Sequence, residues 1–152
     1  MELESKRIIV SGCARGMGEA TLNAYVQAGA DVIGMDINSE AGQSVTEKAK
    51  IKGPGKASFI KIDIANPESV SDAFREASEQ LGGLDALANP AAIHRLGDPS
   101  DISPDDWDRI FTINVRGTVL TNQAAFKLIR KSGGGSIINF GSISGLRPEP
   151  GS

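Results

Sequence analysis

The chain has 152 residues, of which 39% are hydrophobic and 23% are charged, a size and composition typical of one soluble globular domain rather than a disordered chain. Its net charge is −3, and its lysines and arginines form no dense cluster. This argues against a nucleic-acid or membrane surface and favours small-molecule partners.

The first predicted strand, Arg7–Ser11, leads into a glycine-rich turn with the sequence Gly12-Cys13-Ala14-Arg15-Gly16-Met17-Gly18, and a helix is predicted over residues 16–29. In this G-x-x-x-G-x-G pattern, Gly12 allows a sharp exit from the strand, Gly16 lets phosphates approach the backbone, and Gly18 lets the helix pack closely on the sheet. The helix N-terminus then faces the anion. The turn therefore predicts a pyrophosphate site, the alternative being an ordinary glycine-rich connection.

The second predicted strand, residues 31–35, is followed by Asp36. A carboxylate at this place can accept hydrogen bonds from the adenosine ribose hydroxyls, which favours NAD. The 2′-phosphate of NADP would carry about −1.5 to −2 charges. One unit charge at 4 Å from the carboxylate costs ~4 kcal/mol at an effective dielectric constant of about 20. Arg15 could pair with such a phosphate and keeps NADP open, and Asp36 as a solvated strand end is the remaining alternative.

Short strands and helices continue to alternate along the rest of the chain. Strands are predicted over residues 57–62, 84–89 and 136–140, and helices over residues 39–51, 67–81 and 104–131. This alternation indicates a parallel sheet, and apolar residues on both faces of several strands indicate that helices cover both sides. The predicted fold is α/β, a Rossmann-type doubly wound sheet with strand order 3-2-1-4-5 and a ligand crevice at the carboxyl ends of its strands.

The last predicted strand, residues 136–140, would be an exposed apolar edge if nothing followed it, and such edges invite aggregation. We therefore expect residues 1–152 to form a single dinucleotide-binding Rossmann domain from which the C-terminal part of the fold is absent. The isolated chain is expected to be poorly soluble.

Asn114 is a candidate functional residue on the long predicted helix. At helical spacing it shares a face with apolar and small residues, which directs it toward the sheet. Those residues are Trp107, Ile110, Phe111, Gly117, Thr118 and Thr121. A buried amide left without partners costs about 1–3 kcal/mol, so the alternative is a satisfied core asparagine that holds helix backbone.

Ser142 follows the fifth predicted strand and so lies at the ligand edge of the sheet, where a hydroxyl can hold a substrate oxygen. The alternative is turn chemistry in a Gly/Ser loop. His94 is expected to be a loop residue, Trp107 an apolar anchor, and Cys13 a small packing residue, although a helix N-terminus could lower the pKa of its thiol. No metal site is predicted.

Cys13 is the only cysteine, which rules out an internal disulfide. The first seven residues are charged, and no apolar segment long enough for a signal peptide or a membrane span follows them. The expected compartment is the cytoplasm.

Taken together, four motifs resemble those of the short-chain dehydrogenase/reductase family. Residues 11–18 are similar to its T-G-x-x-x-G-x-G turn with Ser11 in place of threonine, and Asp36 is similar to its ribose-binding acid. Asn114-Val115-Arg116-Gly117 resembles its N-x-x-G, and residues 139–145 resemble its N-x-S-S-x-x-G segment. The joint order of these motifs is far more specific than any one of them.

The resemblance implies site residues. Ser142 would be the catalytic serine that holds the substrate oxygen, and Asn114 would order a water path to a catalytic lysine. The implied cofactor-binding residues are Ser11, Gly12, Arg15, Gly16, Met17, Gly18, Asp36, Ile37, Asp63, Ile64, Asn89 and Ala91.

Two departures from the family pattern stand out. Asn89-Pro90-Ala91-Ala92 replaces its N-N-A-G, so that Pro90 removes an amide donor and Ala92 restricts the backbone. The family's Y-x-x-x-K, expected about a dozen residues beyond Ser142, does not occur, and the only tyrosine is Tyr25.

The resemblance implies an NAD-dependent oxidoreductase that interconverts a secondary alcohol and a ketone when complete, with homo-oligomers formed through the long helix. The 152 residues alone are expected to be inactive. Two alternatives remain: a catalytically inactive dinucleotide-binding fragment, and an AdoMet-dependent methyltransferase, which shares the glycine turn and the acid after the second strand but does not explain Asn114 and Ser142.

Overall fold

The computed structural model describes residues 2–147 and contains a five-stranded sheet in which every strand pair is parallel. The strand order is β3-β2-β1-β4-β5, which confirms the predicted order. The strands are β1 (Arg7–Ser11), β2 (Asp31–Asp36), β3 (Lys56–Lys61), β4 (Ala86–Asn89) and β5 (Ser136–Asn139). Their carboxyl ends share one edge of the sheet, where the predicted ligand crevice should lie.

Five α-helices and one π-helical segment connect the strands. They are α1 (Gly16–Gln27), α2 (Ser39–Lys52), α3 (Pro67–Leu81), α4 (Pro104–Ile110), the π segment (Phe111–Gly117) and α5 (Thr118–Lys131). Asparagine side chains cap two of them, because Asn38 accepts a hydrogen bond from the Ala41 amide and Asn66 accepts from the amides of Glu68 and Ser69.

The helices cover both faces of the sheet, as the apolar strands predicted. Neighbouring residues of β1 belong to different hydrophobic clusters: Ile9 packs with α3 and α5, whereas Ile8 and Val10 pack with α1 and α2. This division follows from the alternation of side chains along a strand. Each cluster contains residues of β1, β2, β3 and β4, so these strands are packed on both faces.

The predicted helix over residues 104–131 is helical throughout, but its middle is a π-helix. A π turn contains more residues than an α turn, so a face drawn at constant α-helical spacing loses register across the segment. Trp107, which lies in α4 just before this segment, is 52% exposed and stacks on Phe111 with 4.7 Å between the ring centroids. The sequence predicts Trp107 to be an apolar anchor and its helical spacing directs it toward the sheet, but about half of its side chain is exposed.

The edge strand β5 is poorly covered. Ile138 is 44% exposed and the following Phe140 is 39% exposed, whereas Ile137 packs against the cluster that contains Ile9. This agrees with the apolar edge predicted from the sequence. Within residues 2–147, no helix combines the length and apolar character needed to cross a bilayer.

Candidate active site

The turn between β1 and α1 has the geometry that its glycines predicted. Gly12 has φ +63°, and a Cβ there would lie 2.7 Å from the Ala91 Cα. A Cβ on Gly18 would overlap the Gly12 carbonyl oxygen, so α1 can approach β1 only because this residue is glycine. Among the described residues, a Cβ on Gly16 would meet no atom within 4 Å beyond its own neighbours and helix backbone, and no side chain caps the start of α1. The N-terminus of α1 is thus open to an anion.

A cavity of about 370 Å³ lies at the carboxyl ends of the strands, beside this turn. Its volume falls within the range of about 300–1,000 Å³ typical of small-molecule sites. Ten of the twelve predicted cofactor-binding residues line it: Gly12, Arg15, Gly16, Met17, Gly18, Asp36, Ile37, Asp63, Ile64 and Ala91. The cavity therefore brings together residues from β1, β2, β3 and β4 or from the loops that follow them.

Asp36 forms part of the cavity wall and also holds the glycine turn. Its Oδ2 accepts a hydrogen bond from the Ala14 amide at 3.0 Å, and its Oδ1 accepts from the Asn38 amide at 2.9 Å. The carboxylate is half-buried and retains further acceptor capacity, because each oxygen carries two lone pairs. A negative charge is thereby fixed between the phosphate turn and the start of α2.

The loop after β3 forms another part of the wall. The Asp63 amide donates to the Ser69 hydroxyl at 2.9 Å, and the Asp63 carboxylate accepts from the Ala65 amide at 2.9 Å. Ile64 packs against Gly117 of the π segment, where a Cβ would lie 2.9 Å from the Ile64 side chain. Asp63 and Ile64 therefore lie on a loop whose position is fixed by hydrogen bonds and by packing against the π segment.

Ser11 and Asn89, the other two predicted cofactor-binding residues, do not line the cavity. They are 0% and 3% exposed, and the Ser11 hydroxyl donates to Asn89 Oδ1 at 2.5 Å. The Asn89 amide nitrogen donates to Thr121 at 2.9 Å and to Asn139 at 3.3 Å. These bonds connect β1, β4, β5 and α5, so the two residues hold together the elements whose ends carry the site.

The Asn114 side chain contacts the loop that follows β4. Its amide nitrogen donates to the Ile93 carbonyl at 2.8 Å, and its Oδ1 accepts from the Ile93 amide at 2.9 Å. The side chain is therefore satisfied, but by the loop after β4 and not by helix backbone, which was the alternative considered. Ile93 itself lines the cavity, so Asn114 fixes part of the cavity wall.

Ser142 lies beyond the carboxyl end of β5 and does not line the cavity. It is exposed, and its hydroxyl accepts a hydrogen bond from the Ser144 amide at 3.1 Å. The hydroxyl proton has no acceptor in the described residues, so Ser142 can donate to a ligand oxygen.

Cys13 behaves as a packing residue. It is fully buried, and its Sγ would lie 2.8 Å from a Cβ on Gly34. Burial, reinforced by the nearby charge of Asp36, raises the pKa of the Cys13 thiol to about 12. The alternative that the helix N-terminus lowers this pKa was therefore wrong.

Sequence reasoning missed several cavity residues. Arg109 and Ile113 come from α4 and the π segment, and Ile62 and Ile93 follow β3 and β4. Ile62 and Ile93 could have been predicted as cavity residues, because each follows a parallel strand and the carboxyl ends of parallel strands meet at one edge of the sheet. Arg109 had no comparable signal. In the described part of the chain, no three His, Cys, Asp or Glu side chains are grouped as metal ligands.

Comparison with known proteins gives one consistent family. A family model described as short chain dehydrogenase matches residues 6–152. The chain is 37% identical over 150 residues to sorbitol dehydrogenase of Cereibacter sphaeroides, and 36% identical over 149 residues to cyclopentanol dehydrogenase of Comamonas testosteroni. Each match covers 98% of this chain but only 57% and 59% of the relative. The chain thus spans little more than half the length of these relatives.

Solved structures give the same result. A short-chain type dehydrogenase/reductase from Mycobacterium marinum superposes with a TM-score of 0.92 at 32% identity. The superposition covers 97% of this chain and 60% of the other.

Proposed function

This chain belongs to the short-chain dehydrogenase family, and on that premise we propose that it is the NAD-binding part of an oxidoreductase that transfers hydride between nicotinamide and a secondary alcohol or ketone. The observation that carries the proposal is the 370 Å³ cavity, whose wall contains both the open N-terminus of α1 and the carboxylate of Asp36. A phosphate site and a ribose acceptor in one cavity fit the adenosine diphosphate half of a dinucleotide, and the same cavity continues to residues 90–93, where the second half would lie.

The cavity residues divide into groups that fit the parts of the cofactor. The turn at Gly16 would hold the pyrophosphate, because its backbone is open and carries no side chain. Asp36 would accept hydrogen bonds from the adenosine ribose, and the loop at Asp63 and Ile64 would face the adenine. Pro90 to Ile93 would then border the nicotinamide, whose ring supplies the hydride acceptor when bound.

NAD is proposed over NADP because of the charge on Asp36. A ribose phosphate about 4 Å from this carboxylate would be disfavoured by ~4 kcal/mol per unit charge at an effective dielectric constant of about 20. Arg15 lines the same cavity and has no ion pair within the described residues. It could therefore pair with the 2′-phosphate of NADP and offset part of the repulsion from Asp36. NADP is therefore the second candidate.

Fluorescence titration with NADH and NADPH tests this preference. The wild-type chain should bind NADH more tightly than NADPH. Asp36→Asn should reduce this difference in affinity, because it weakens the binding of NADH and strengthens the binding of NADPH. Asp72→Asn, which removes a carboxylate on the exposed face of α3, is the matched control and should leave both affinities unchanged. Tighter binding of NADPH by the wild-type chain would refute the assignment of NAD.

For the chemical step we propose that the Ser142 hydroxyl donates to the substrate oxygen and that Asn114 holds the loop at Ile93 in place beside the reacting groups. Proton transfer to that oxygen needs a further acid, which the family resemblance assigns to the tyrosine of Y-x-x-x-K. Since the 152 residues contain no such motif, they should show no turnover when purified alone. Alcohol-dependent formation of NADH from cyclopentanol or sorbitol would contradict that part of the proposal and would exclude the alternative of an inactive dinucleotide-binding fragment.

We also propose that copies of the protein pair through the long helix. Apolar side chains remain exposed along its outer side, each 45–59% accessible. They are Trp107, Phe111, Val115, Val119 and Phe126, which we call the outer apolar stripe. Association would remove this surface from water, which is the usual reason for such a stripe on a folded chain.

A further inference from the structure

The loop at residues 63–65 is held from two directions. On one side, the Ser69 hydroxyl of α3 accepts a hydrogen bond from the Asp63 amide at 2.9 Å. On the other, Arg116 of the π segment donates from Nη2 to the Ala65 carbonyl at 2.9 Å. Gly117 beside it packs on Ile64. The position of this loop therefore depends on the π segment as well as on α3.

The same π segment holds a second stretch of the cavity wall, through the paired hydrogen bonds of Asn114 to Ile93. Asn114 and Arg116 are two residues apart and bind different loops. Asn114 forms hydrogen bonds with the loop after β4, and Arg116 forms one with the loop after β3. The two loops border the cavity at different places. Their separation is thus set by a single seven-residue helical segment.

Arg116 acts on the cavity through a single residue, Ala65. Its guanidinium donates to the carbonyl of Ala65, and the amide of the same residue donates to the Asp63 carboxylate at 2.9 Å. Fixing Ala65 therefore fixes the orientation of that carboxylate. Arg116 does not itself line the cavity.

We infer that Arg116 is a positioning residue for the adenosine half of the cofactor, acting through Ala65 on the Asp63–Ile64 edge of the cavity. The inference rests on the proposed NAD site and adds to it a residue outside the cavity that controls affinity for one end of the ligand. Arginine suits this role, because its long side chain reaches across from the helix and keeps its charge and donors at every relevant pH.

The test compares the wild-type chain with Arg116→Ala and with Arg130→Ala, a matched control that removes an exposed arginine from the last turn of α5. Three ligands are titrated: NADH, ADP-ribose, and reduced nicotinamide mononucleotide, which lacks adenosine. Arg116→Ala should lower the affinity for NADH and for ADP-ribose by the same factor, about three- to tenfold, as expected for the loss of one hydrogen bond. Binding of the mononucleotide and the urea midpoint should match those of the control.

The outcomes separate the inference from the proposed function. If the wild-type chain binds no NADH, the proposed function fails and this role fails with it. If the wild-type chain binds NADH and Arg116→Ala binds it equally well, only the role of Arg116 is refuted. An equal loss for NADH and for the mononucleotide, or a lowered urea midpoint that accounts for the weaker binding, would also overturn it, because either result would show a general structural effect.

Discussion

The ion pair between Arg7 and Asp85 joins the start of β1 to the residue before β4. Arg7 donates to the carboxylate from Nε at 3.0 Å and from Nη2 at 2.7 Å, and the Arg7 amide adds a third bond at 2.8 Å. The hydrogen bonds from the Arg7 side chain lower the pKa of Asp85 below its ordinary value of 3.8, and outweigh the partial burial that would raise it. Because a lowered pKa favours the charged form in the folded state, the stabilisation is complete above pH 4 to 5 and is lost as the pH falls through the folded-state pKa.

Asp85→Asn should therefore reduce the free energy of unfolding by about 1 kcal/mol at neutral pH, the amount typical of a partly exposed hydrogen-bonded pair. Urea unfolding at several values between pH 3 and pH 7 measures the effect, and the difference from wild type should shrink below about pH 4. Asp72→Asn serves as the control, since its pair with Arg75 is exposed on both sides. A difference that stays constant down to pH 3 would rule out this account.

Single residues could be predicted from the sequence where their role is local. Gly12, Gly18 and Asp36 follow from backbone sterics and from position after a strand, and the structure places all three on the cavity. Ser11 and Asn89 were expected beside the ligand but lie in a buried network with Thr121 and Asn139. That network joins residues far apart in sequence, and no local pattern shows which polar groups will satisfy one another.

Helices and strands could be predicted from the sequence where the spacing of their apolar residues stays constant. The five strands and α1 to α3 agree with the sequence to within two residues at each end, because caps such as Asn66 and stops such as Gly82 mark their limits. The π segment could not be predicted, because the sequence of residues 111–117 contains no signal for a π-helical turn. Its side chains contact residues far away in the sequence, through the bonds of Asn114 with Ile93 and of Arg116 with Ala65.

In α1, the substitution Gly18→Ala should weaken cofactor binding. The added methyl group would overlap the Gly12 carbonyl oxygen, so the helix must move away from the turn and its N-terminus with it. Affinity for NADH should fall by at least about tenfold and the free energy of unfolding by about 1–3 kcal/mol. Gly97→Ala is the matched control, because a Cβ there meets nothing within 4 Å. Unchanged NADH affinity in Gly18→Ala would mean that α1 does not hold the phosphates.

For the molecule as a whole, the strand order could be predicted because right-handed crossovers leave few topologies open. The exposed surface could be predicted only in part. The apolar edge at β5 followed from its end position in the sheet, but the outer apolar stripe includes Trp107 and Phe111, which constant helical spacing had placed inside. Burial at these positions depends on the π segment and so on the assembled fold.

The outer apolar stripe predicts self-association. Phe126→Glu places a charge in the stripe and should raise the dissociation constant for self-association by at least about tenfold, because a buried charge without a partner is costly. Sedimentation velocity over a range of concentrations measures the shift toward monomer. Gln123→Glu adds the same charge nearby on α5 and outside the stripe, and should change little. A wild-type chain that stays monomeric and soluble at high concentration would contradict the proposed pairing.

The central claim is that one cavity, built by the glycine turn, Asp36 and the loop after β3, binds a nicotinamide dinucleotide. Hydrogen–deuterium exchange with and without saturating NADH tests it most directly, because it locates the ligand on the chain whether or not turnover occurs. Bound NADH should slow exchange in peptides that cover residues 12–18, 36–38 and 63–65 and should leave the middle of α3 unchanged. Protection that is absent from all three stretches, or confined to another surface, would contradict the account.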